Sequence, residues 1–267
     1  MANRLPFRVR RHADQGFFVQ ISHFEGPPEY SWLTDDDHSL RIVDCSWPPC
    51  LDKIPSTVKR VSVASSDGLI DLTGLPEELS SLTLIECNQL ESLDSLPANL
   101  EALTIVNCGR LQWHPELLPR GLRVLWLEDM NEIEAIGSIP RSVQTLSLEK
   151  LGSVTDLDGL PEGLQKLYLR ELPEVRDLRA LPENIVTLLV IGCPRVEALP
   201  FRPSIQQLIL SREQGYRVYT PDGESIIEGD ADGRMIRTGA GYLDLVAEVM
   251  IYMANRKKRP STASERR

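Results

Sequence analysis

Imidazole side chains, the most frequent general bases of enzymes, are few in this 267-residue chain. Its four histidines are His12, His23, His38 and His114. None of them stands at a spacing from a serine or cysteine that is typical of a catalytic family, and a nucleophile needs such a base to activate it. The sequence therefore predicts a protein that is not an enzyme.

Two stretches carry residue types that bind metals. Cys45 and Cys50 are separated by four residues, but no second Cys or His pair accompanies them in a zinc-like pattern. The acidic run from Glu228 to Gly233 resembles the start of a calcium loop, yet its twelfth position is Gly239, where an EF-hand needs a bidentate glutamate. We therefore expect neither a metal nor another cofactor.

Any functional residue must be positioned by a repeat that extends from Ile54 to Leu210. Its clearest copy, Leu75 to Cys87, reads L-P-x-x-L-x-x-L-x-L-x-x-C. The central leucine position recurs every 20 to 22 residues, at Val61, Leu82, Leu103, Leu125, Leu146, Leu167, Leu188 and Leu208. A period in the twenties with this pattern is typical of stacked units that each supply one short strand.

These copies resemble the leucine-rich repeat superfamily. The Leu-Pro opening is most similar to the LPX-type repeats of bacterial type III secreted effectors, while cysteine at the ninth motif position also resembles plant immune-receptor repeats. The resemblance implies a solenoid in which a curved parallel sheet of about nine strands forms the concave face. We place the leucine-rich repeats at 40–210, because Leu40 and Ile42 lie 21 residues before Val61 and Val63.

The spacing within one unit predicts both faces of the solenoid. The two close leucines, such as Leu82 and Leu84, point inward because strand side chains alternate. Proline stands shortly before nearly every strand, lacks an amide donor and disfavours a helical residue before it. The convex side is therefore expected to be extended or 3₁₀ rather than α-helical.

Residues 1–39 are interpreted as an N-terminal arm and cap. The first sixteen residues are rich in arginine and suit either a flexible arm or the approach to a cap. A strand is expected at 17–21 from its aromatic and β-branched content. Trp32, Leu33 and Trp47 are expected to cover the open end of the core.

Residues 211–254 are interpreted as a C-terminal cap made of a hairpin and a helix. The hairpin is predicted around the turn at 220–223, and apolar residues recur with helical spacing over 241–254. That apolar stripe suits a cap over the last repeat. The alternative is a helix that binds a partner.

The last segment, 255–267, is predicted to be a disordered basic tail, because it lacks apolar residues to fold around. Arg256, Lys257, Lys258 and Arg259 resemble a short nuclear-import signal. A phosphate-binding arm and a merely solubilising tail are the alternatives.

Charge and cysteine usage restrict the partners and the compartment. With 39 acidic and 29 basic residues the net charge is −10, which argues against nucleic-acid binding except through the tail. No 18-residue apolar run indicates a membrane span. Cys87, Cys108 and Cys193 fall at the inward-turning motif position, and Cys45 is expected to do so too, which indicates reduced thiols in a reducing compartment.

The candidate binding site is a set of outward residues on the predicted concave face. It combines aromatic, charged and aliphatic side chains of the kind that dominate protein interfaces, namely Trp126, Tyr168, Glu128, Glu149, Lys166, Arg170 and Leu189. The alternative is that outward strand positions favour aromatic residues for sheet packing alone, with Leu189 covered by the C-terminal cap.

The sequence thus predicts a protein–protein interaction module that binds its partner on the concave face. The resemblance implies a secreted virulence effector, present in the bacterial cytoplasm before secretion and then in the host cytoplasm or nucleus, with a host protein as partner. Some LPX effectors carry a cysteine-dependent ubiquitin ligase domain, but only 57 residues follow Leu210 and none is cysteine. The alternatives are the substrate-recognition part of a ubiquitin-ligase system and an intracellular bacterial scaffold; the oligomeric state is not predicted.

Overall fold

The computed structural model describes residues 8–12, 18–22, 29–46, 48–196, 198–200, 202, 204–211, 217–219 and 225–228. Within these ranges the chain forms a parallel β-solenoid of stacked coils. Trp47, the predicted helix at 241–254 and the basic tail at 255–267 lie outside the described residues.

The described strands are short, and most have five residues. In chain order they are β1 Arg8–His12, β2 Phe18–Ser22, β3 Ser39–Val43, β4 Arg60–Ala64, β5 Ser81–Ile85, β6 Ala102–Val106, β7 Val124–Glu128, β8 Thr145–Glu149, β9 Lys166–Arg170, β10 Thr187–Ile191, β11 Ala198–Pro200, β12 Gln207–Ser211, β13 Arg217–Tyr219 and β14 Ser225–Glu228.

One sheet contains eleven of these strands, in the order β1-β2-β3-β4-β5-β6-β7-β8-β9-β10-β12. The nine strands that follow the repeat, β3 to β10 and β12, are parallel and in register, so that Leu125, Leu146 and Leu167 lie side by side. The predicted number of repeat strands is confirmed. The strand expected at 17–21 is β2, which pairs parallel to β3. Strand β1, not predicted from the sequence, pairs antiparallel to β2.

Turns rather than helices return the chain from one strand to the next, as predicted. In the described part the helical elements are two 3₁₀ helices, Leu51–Lys53 and Pro115–Leu117. The proline that opens each unit begins a turn, as in the coil where Leu79 N–H donates to Pro76 C=O at 3.0 Å. Proline suits this place because its fixed φ fits the turn and it has no amide to leave unpaired.

Each strand from β3 to β10 is followed directly by a residue with a left-handed backbone. These residues are Asp44, Ser65, Glu86, Asn107, Asp129, Lys150, Glu171 and Gly192. The turned backbone lets the N–H donate to the last carbonyl of the next strand, as from Glu86 to Val106 at 2.9 Å. The sheet ladder therefore continues into the turn, and the following residue is directed into the core.

The core is one continuous apolar column behind the sheet. Inward strand residues such as Leu146 and Leu148 are fully buried, together with the apolar residues of the turns. At the N-terminal end Tyr30 is 1% exposed and its hydroxyl donates to the carbonyl of Pro49. Trp32 and Leu33 pack against the same core. The assignment of this region as a cap stays a prediction.

A second, three-stranded sheet has the order β11-β13-β14. β13 and β14 pair antiparallel, as expected for the predicted hairpin, whose turn at 220–223 lies outside the described residues. β11 adds a parallel strand that the sequence did not predict. No helix in the described ranges is long and apolar enough to cross a lipid bilayer.

Candidate functional site

The outer sheet face, defined here as the side of the large sheet opposite the core, presents three rows of residues across the strands. The register of β7, β8 and β9 aligns Trp126, Ser147 and Tyr168 in the middle row. Glu128, Glu149 and Arg170 align in the row after it. Lys166, which opens β9, lies on the same face. The structure therefore brings together six of the seven predicted site residues, all except Leu189.

The middle row contains an aromatic pair around a buried serine. Trp126 is 41% exposed, while Ser147 between the two aromatic residues is 6% exposed. Since neighbouring strands lie about 4.8 Å apart, Trp126 and Tyr168 start roughly 10 Å apart. The side chain between them on β8 is therefore small and buried.

Val124 extends this apolar surface and was not among the predicted site residues. It is 38% exposed, on the same strand and the same face as Trp126. In the described part of the chain, Val124, Trp126 and Ile70 are the exposed large hydrophobic residues, and Ile70 lies in a turn. Exposed apolar area is thus concentrated on β7.

The charged residues beside the aromatic pair form an ion-pair network across three strands. Lys150 Nζ lies 3.0 Å from Glu128 Oε1 and 3.8 Å from Glu149 Oε1. Arg170 contributes a guanidinium nitrogen 3.9 Å from Glu149 Oε2. Two acids are matched by two bases, so the network is neutral and links side chains of β7, β8 and β9.

Lys150 is the member of this network that sequence reasoning missed. It follows β8 and occupies the left-handed position with φ 53°. The sequence pattern predicts only the outward positions within each strand. Lys150 lies one residue after β8, so the pattern does not include it. The hydrogen bond to Glu128 raises the pKa of Lys150, so this ammonium stays charged throughout the physiological range.

The predicted contact residue Leu189 differs from the others. It is 7% exposed, and its neighbour Thr187 is also 7% exposed, although both occupy outward positions of β10. Thr187 and Leu189 therefore add little accessible surface to the site. A role for Leu189 in binding stays a prediction that this burial disfavours.

The column of inward-turning residues behind the strand ends contains the predicted cysteines. Cys45, Cys87, Cys108 and Cys193 are all buried, as expected, and all five cysteines are free thiols. Each buried sulfur lies 3.3 to 3.6 Å from the carbonyl two residues earlier. A thiol therefore suits this position because it is small and apolar and can still donate weakly to that carbonyl.

Native thiol reactivity should separate Cys50 from the other four cysteines. Cys50 is partly exposed, whereas burial raises the pKa of Cys193 to about 11, and a hydrogen bond with Cys108 together with burial raises the pKa of Cys87. Because the thiolate is the reactive form, titration with an aromatic disulfide at pH 8 is expected to modify one thiol quickly and all five after denaturation. Four fast thiols would contradict the inward column.

The raised pKa of Cys193 predicts that the protein becomes less stable as the pH rises above 9. The folded protein holds the Cys193 proton more tightly than the unfolded chain, whose thiol has the ordinary pKa of 9.0. Its contribution to the free energy of unfolding is complete below pH 9 and is lost as the pH rises to about 11. Denaturant melts of wild type and Cys193→Ala between pH 8 and 11 are expected to converge as the pH rises.

A second candidate is an open depression of about 430 Å³ on the turn side, lined by Glu91, Ser92, Asp94, Gln112, His114, Glu116 and Leu117. His114 Nδ1 lies 3.1 Å from Glu116 Oε1, as in a base held by a carboxylate. Ser92 Oγ accepts from Asp94 N–H, and in the described part no hydrogen bond joins it to His114. A nucleophile–base pair is therefore not formed there.

Among the described residues no three His, Cys, Asp or Glu side chains lie close enough together to hold a metal ion.

Comparisons with known proteins return no match: no family model, no curated protein and no solved structure matches this chain. The functional inference therefore comes from the residues of the outer sheet face.

Proposed function

We propose that the protein is a leucine-rich repeat interaction module that binds a partner protein on the outer sheet face between β7 and β9. The exposed indole of Trp126 is the observation that carries the proposal. A large aromatic side chain left 41% exposed beside an equally exposed valine has no role in the core of a stacked coil. Such a side chain, next to Tyr168 and a guanidinium, has the composition of an interface hot spot.

Sheet packing alone does not account for this surface. Outward positions elsewhere in the sheet hold Ser62, Thr83 and Thr104 in the same row, so a stacked strand does not require an aromatic residue there. The neutral ion-pair network next to the aromatic pair also suits an interface, because it fixes side chains before binding and leaves no unmatched acid to desolvate.

A Trp126→Ala/Tyr168→Ala variant is expected to lose its partner in an affinity pull-down from a host-type lysate. Hot-spot aromatic residues contribute about 2 kcal/mol each, so the double variant should bind roughly a hundredfold or more weakly. Circular dichroism should show an unchanged fold, because neither side chain belongs to the buried core.

Ile70→Ala is the matched control, since it removes an exposed apolar side chain, 60% accessible, from a turn rather than from the outer sheet face. It should retain the partner. Equal binding by wild type and by the aromatic double variant would refute the proposed surface.

The biological setting rests on the resemblance of the repeats rather than on a feature of the site. LPX-type repeats imply a secreted bacterial effector that acts on a host protein, and such repeats curve so that the outer sheet face is concave. A reporter fused to the chain and followed into host cells through a type III secretion system tests this proposal. Retention in the bacterium would favour an intracellular scaffold instead.

A further inference from the structure

The N-terminal half of the outer sheet face has a different character from the aromatic half. Arg41 on β3 and Arg60 on β4 are both exposed on it. They stand on adjacent strands two register positions apart, because Arg41 pairs with Ser62 and Arg60 with Ser39. Diagonal neighbours of this kind lie about 7–8 Å apart, within reach of one carboxylate or of two successive acidic side chains.

Neither guanidinium is matched by an acid at a strand position in this part of the face. Outward positions of β2 to β6 in the described strands hold no Asp or Glu, and the first acid along the rows is Glu128 on β7. Within the described residues no ion pair or side-chain hydrogen bond engages Arg41 or Arg60. Two unmatched cations are unusual in a chain whose net charge is −10.

Strand β1 extends the sheet at this end and contains further arginine positions. It carries Arg8, Arg10 and Arg11, and its register aligns Arg10 with Gln20, which in turn pairs with Arg41. Arg10 therefore occupies the same row as Arg41, two strands or roughly 10 Å away.

Between the arginines and Trp126 the face offers hydroxyl groups and small aliphatic side chains. Ser62, Thr83 and Thr104 align in the middle row, and Ile85 and Val106 follow in the next row, partly exposed. Hydroxyls can exchange hydrogen bonds with a peptide backbone, and the aliphatic row can cover apolar side chains. This stretch is suited to an extended peptide that crosses the strands.

We propose that the partner presents an extended acidic segment, whose carboxylates bind Arg41 and Arg60 while an apolar residue of the same segment binds at Trp126 and Tyr168. This inference rests on the proposed function and specifies the partner's chemistry. Trp126 lies four strands from Arg41 and three from Arg60, or roughly 14–19 Å. At about 3.3–3.6 Å per extended residue, the acidic and apolar residues are about four to six positions apart in the partner.

An acidic protein segment fits better than a nucleic acid. A polyphosphate strand would gain from the arginines, but it would meet the long-range repulsion of a chain with a net charge of −10 and the carboxylates of Glu128 and Glu149 further along the face. An extended segment with two acids carries far less negative charge than a polyphosphate strand, so the same repulsion costs it less, and its apolar end rather than its acids lies beside Glu128 and Glu149.

The test is a selection from a phage library of random 12-residue peptides on the immobilised full chain. Peptides enriched by wild type are expected to carry an acidic residue about four to six positions from an aromatic or aliphatic one. The most enriched peptide, synthesised with a fluorescein label, should bind Arg41→Gln/Arg60→Gln about tenfold or more weakly than wild type, since charge-assisted bonds to two guanidinium groups are lost. Replacing its acids by the matching amides should cause the same loss.

Arg120→Gln/Arg141→Gln is the matched control, because it removes two exposed arginines from turns outside the outer sheet face and gives the same net charge. It should bind the peptide as wild type does. Enriched peptides without acidic residues, or equal binding by the Arg41/Arg60 variant, would overturn the inference while leaving the proposed function intact. No enrichment by wild type would count against both. Arginine-dependent binding of labelled oligothymidylate in place of peptides would assign the site to nucleic acid instead.

Discussion

Leu146→Ala is expected to lower the free energy of unfolding by roughly 2–5 kcal/mol. Leu146 is fully buried in the middle of the array, and the register places it between Leu125 and Leu167 of the neighbouring coils. Truncation removes apolar contacts on both sides and leaves a cavity, because the two flanking strands are held in place by their own hydrogen bonds and cannot collapse inward. Equilibrium denaturation followed by circular dichroism measures the change.

Ile70→Ala serves as the control for this prediction too. Its side chain is 60% exposed in a turn, so its truncation is expected to change the free energy of unfolding by less than about 0.5 kcal/mol. If Leu146→Ala unfolded at the same denaturant concentration as wild type, Leu146 could not lie in the core, and the register of the array would be wrong.

The repeat made the positions of the sheet predictable. Two leucines separated by one residue fix which side chains of a strand point inward, and a constant period aligns successive copies. The sequence therefore places Trp126 and Tyr168 two strands apart on one face, and the register confirms that arrangement. The proline at the start of each unit predicted the absence of α-helix on the turn side in the same way, through a local effect on the backbone.

Elements outside the repeat could not be predicted in this way. Strand β1 has the sequence Arg-Val-Arg-Arg-His, which has little apolar content and forms because β2 offers an unpaired edge. The buried hydroxyl of Tyr30 likewise has no local signal, since its acceptor Pro49 lies nineteen residues away. Both features depend on partners that only the assembled coils bring together.

Accessibility within the outer sheet face was also beyond the sequence. Tyr168 and Leu189 occupy equivalent positions on adjacent strands, yet Leu189 is buried to 7% exposure. The repeat period predicts that both side chains point outward, but it does not predict which other residues cover them. The same holds for Lys150, whose left-handed backbone directs it to the acids of β7 and β8.

The rows of the outer sheet face join the two proposals into one surface. Unmatched arginines stand at its N-terminal end, and the aromatic residues stand next to a neutral ion-pair network further along. A partner held at both points would be oriented along the array, because exchanging its ends would place its acids against Glu128 and Glu149. Loss of the arginines should therefore weaken binding without moving the apolar anchor.

Gly159→Ala is expected to destabilise the fold by about 3 kcal/mol or more, the upper range for a single methyl group. Gly159 has φ +93°, and a Cβ atom there would lie 2.1 Å from the carbonyl oxygen of Gly137 on the preceding coil. The same approach lets Ile139 N–H donate to the carbonyl of Gly159 at 3.2 Å. Added bulk would therefore separate two coils that are joined by backbone hydrogen bonds.

The comparison with other units shows which cause dominates. Ser95 occupies the equivalent position two residues before its proline with φ 71°, so a side chain tolerates the left-handed conformation where the space is open. The larger part of the cost at Gly159 is therefore the contact with Gly137.

Gly121→Ala is the control, since its new Cβ would meet nothing nearer than the Ala98 carbonyl oxygen at 3.8 Å and its φ is not left-handed. That variant should be neutral or more stable by up to about 1 kcal/mol, because alanine reduces the entropy of the unfolded chain. Equal denaturation midpoints for the two glycine variants would show that these coils do not approach each other closely.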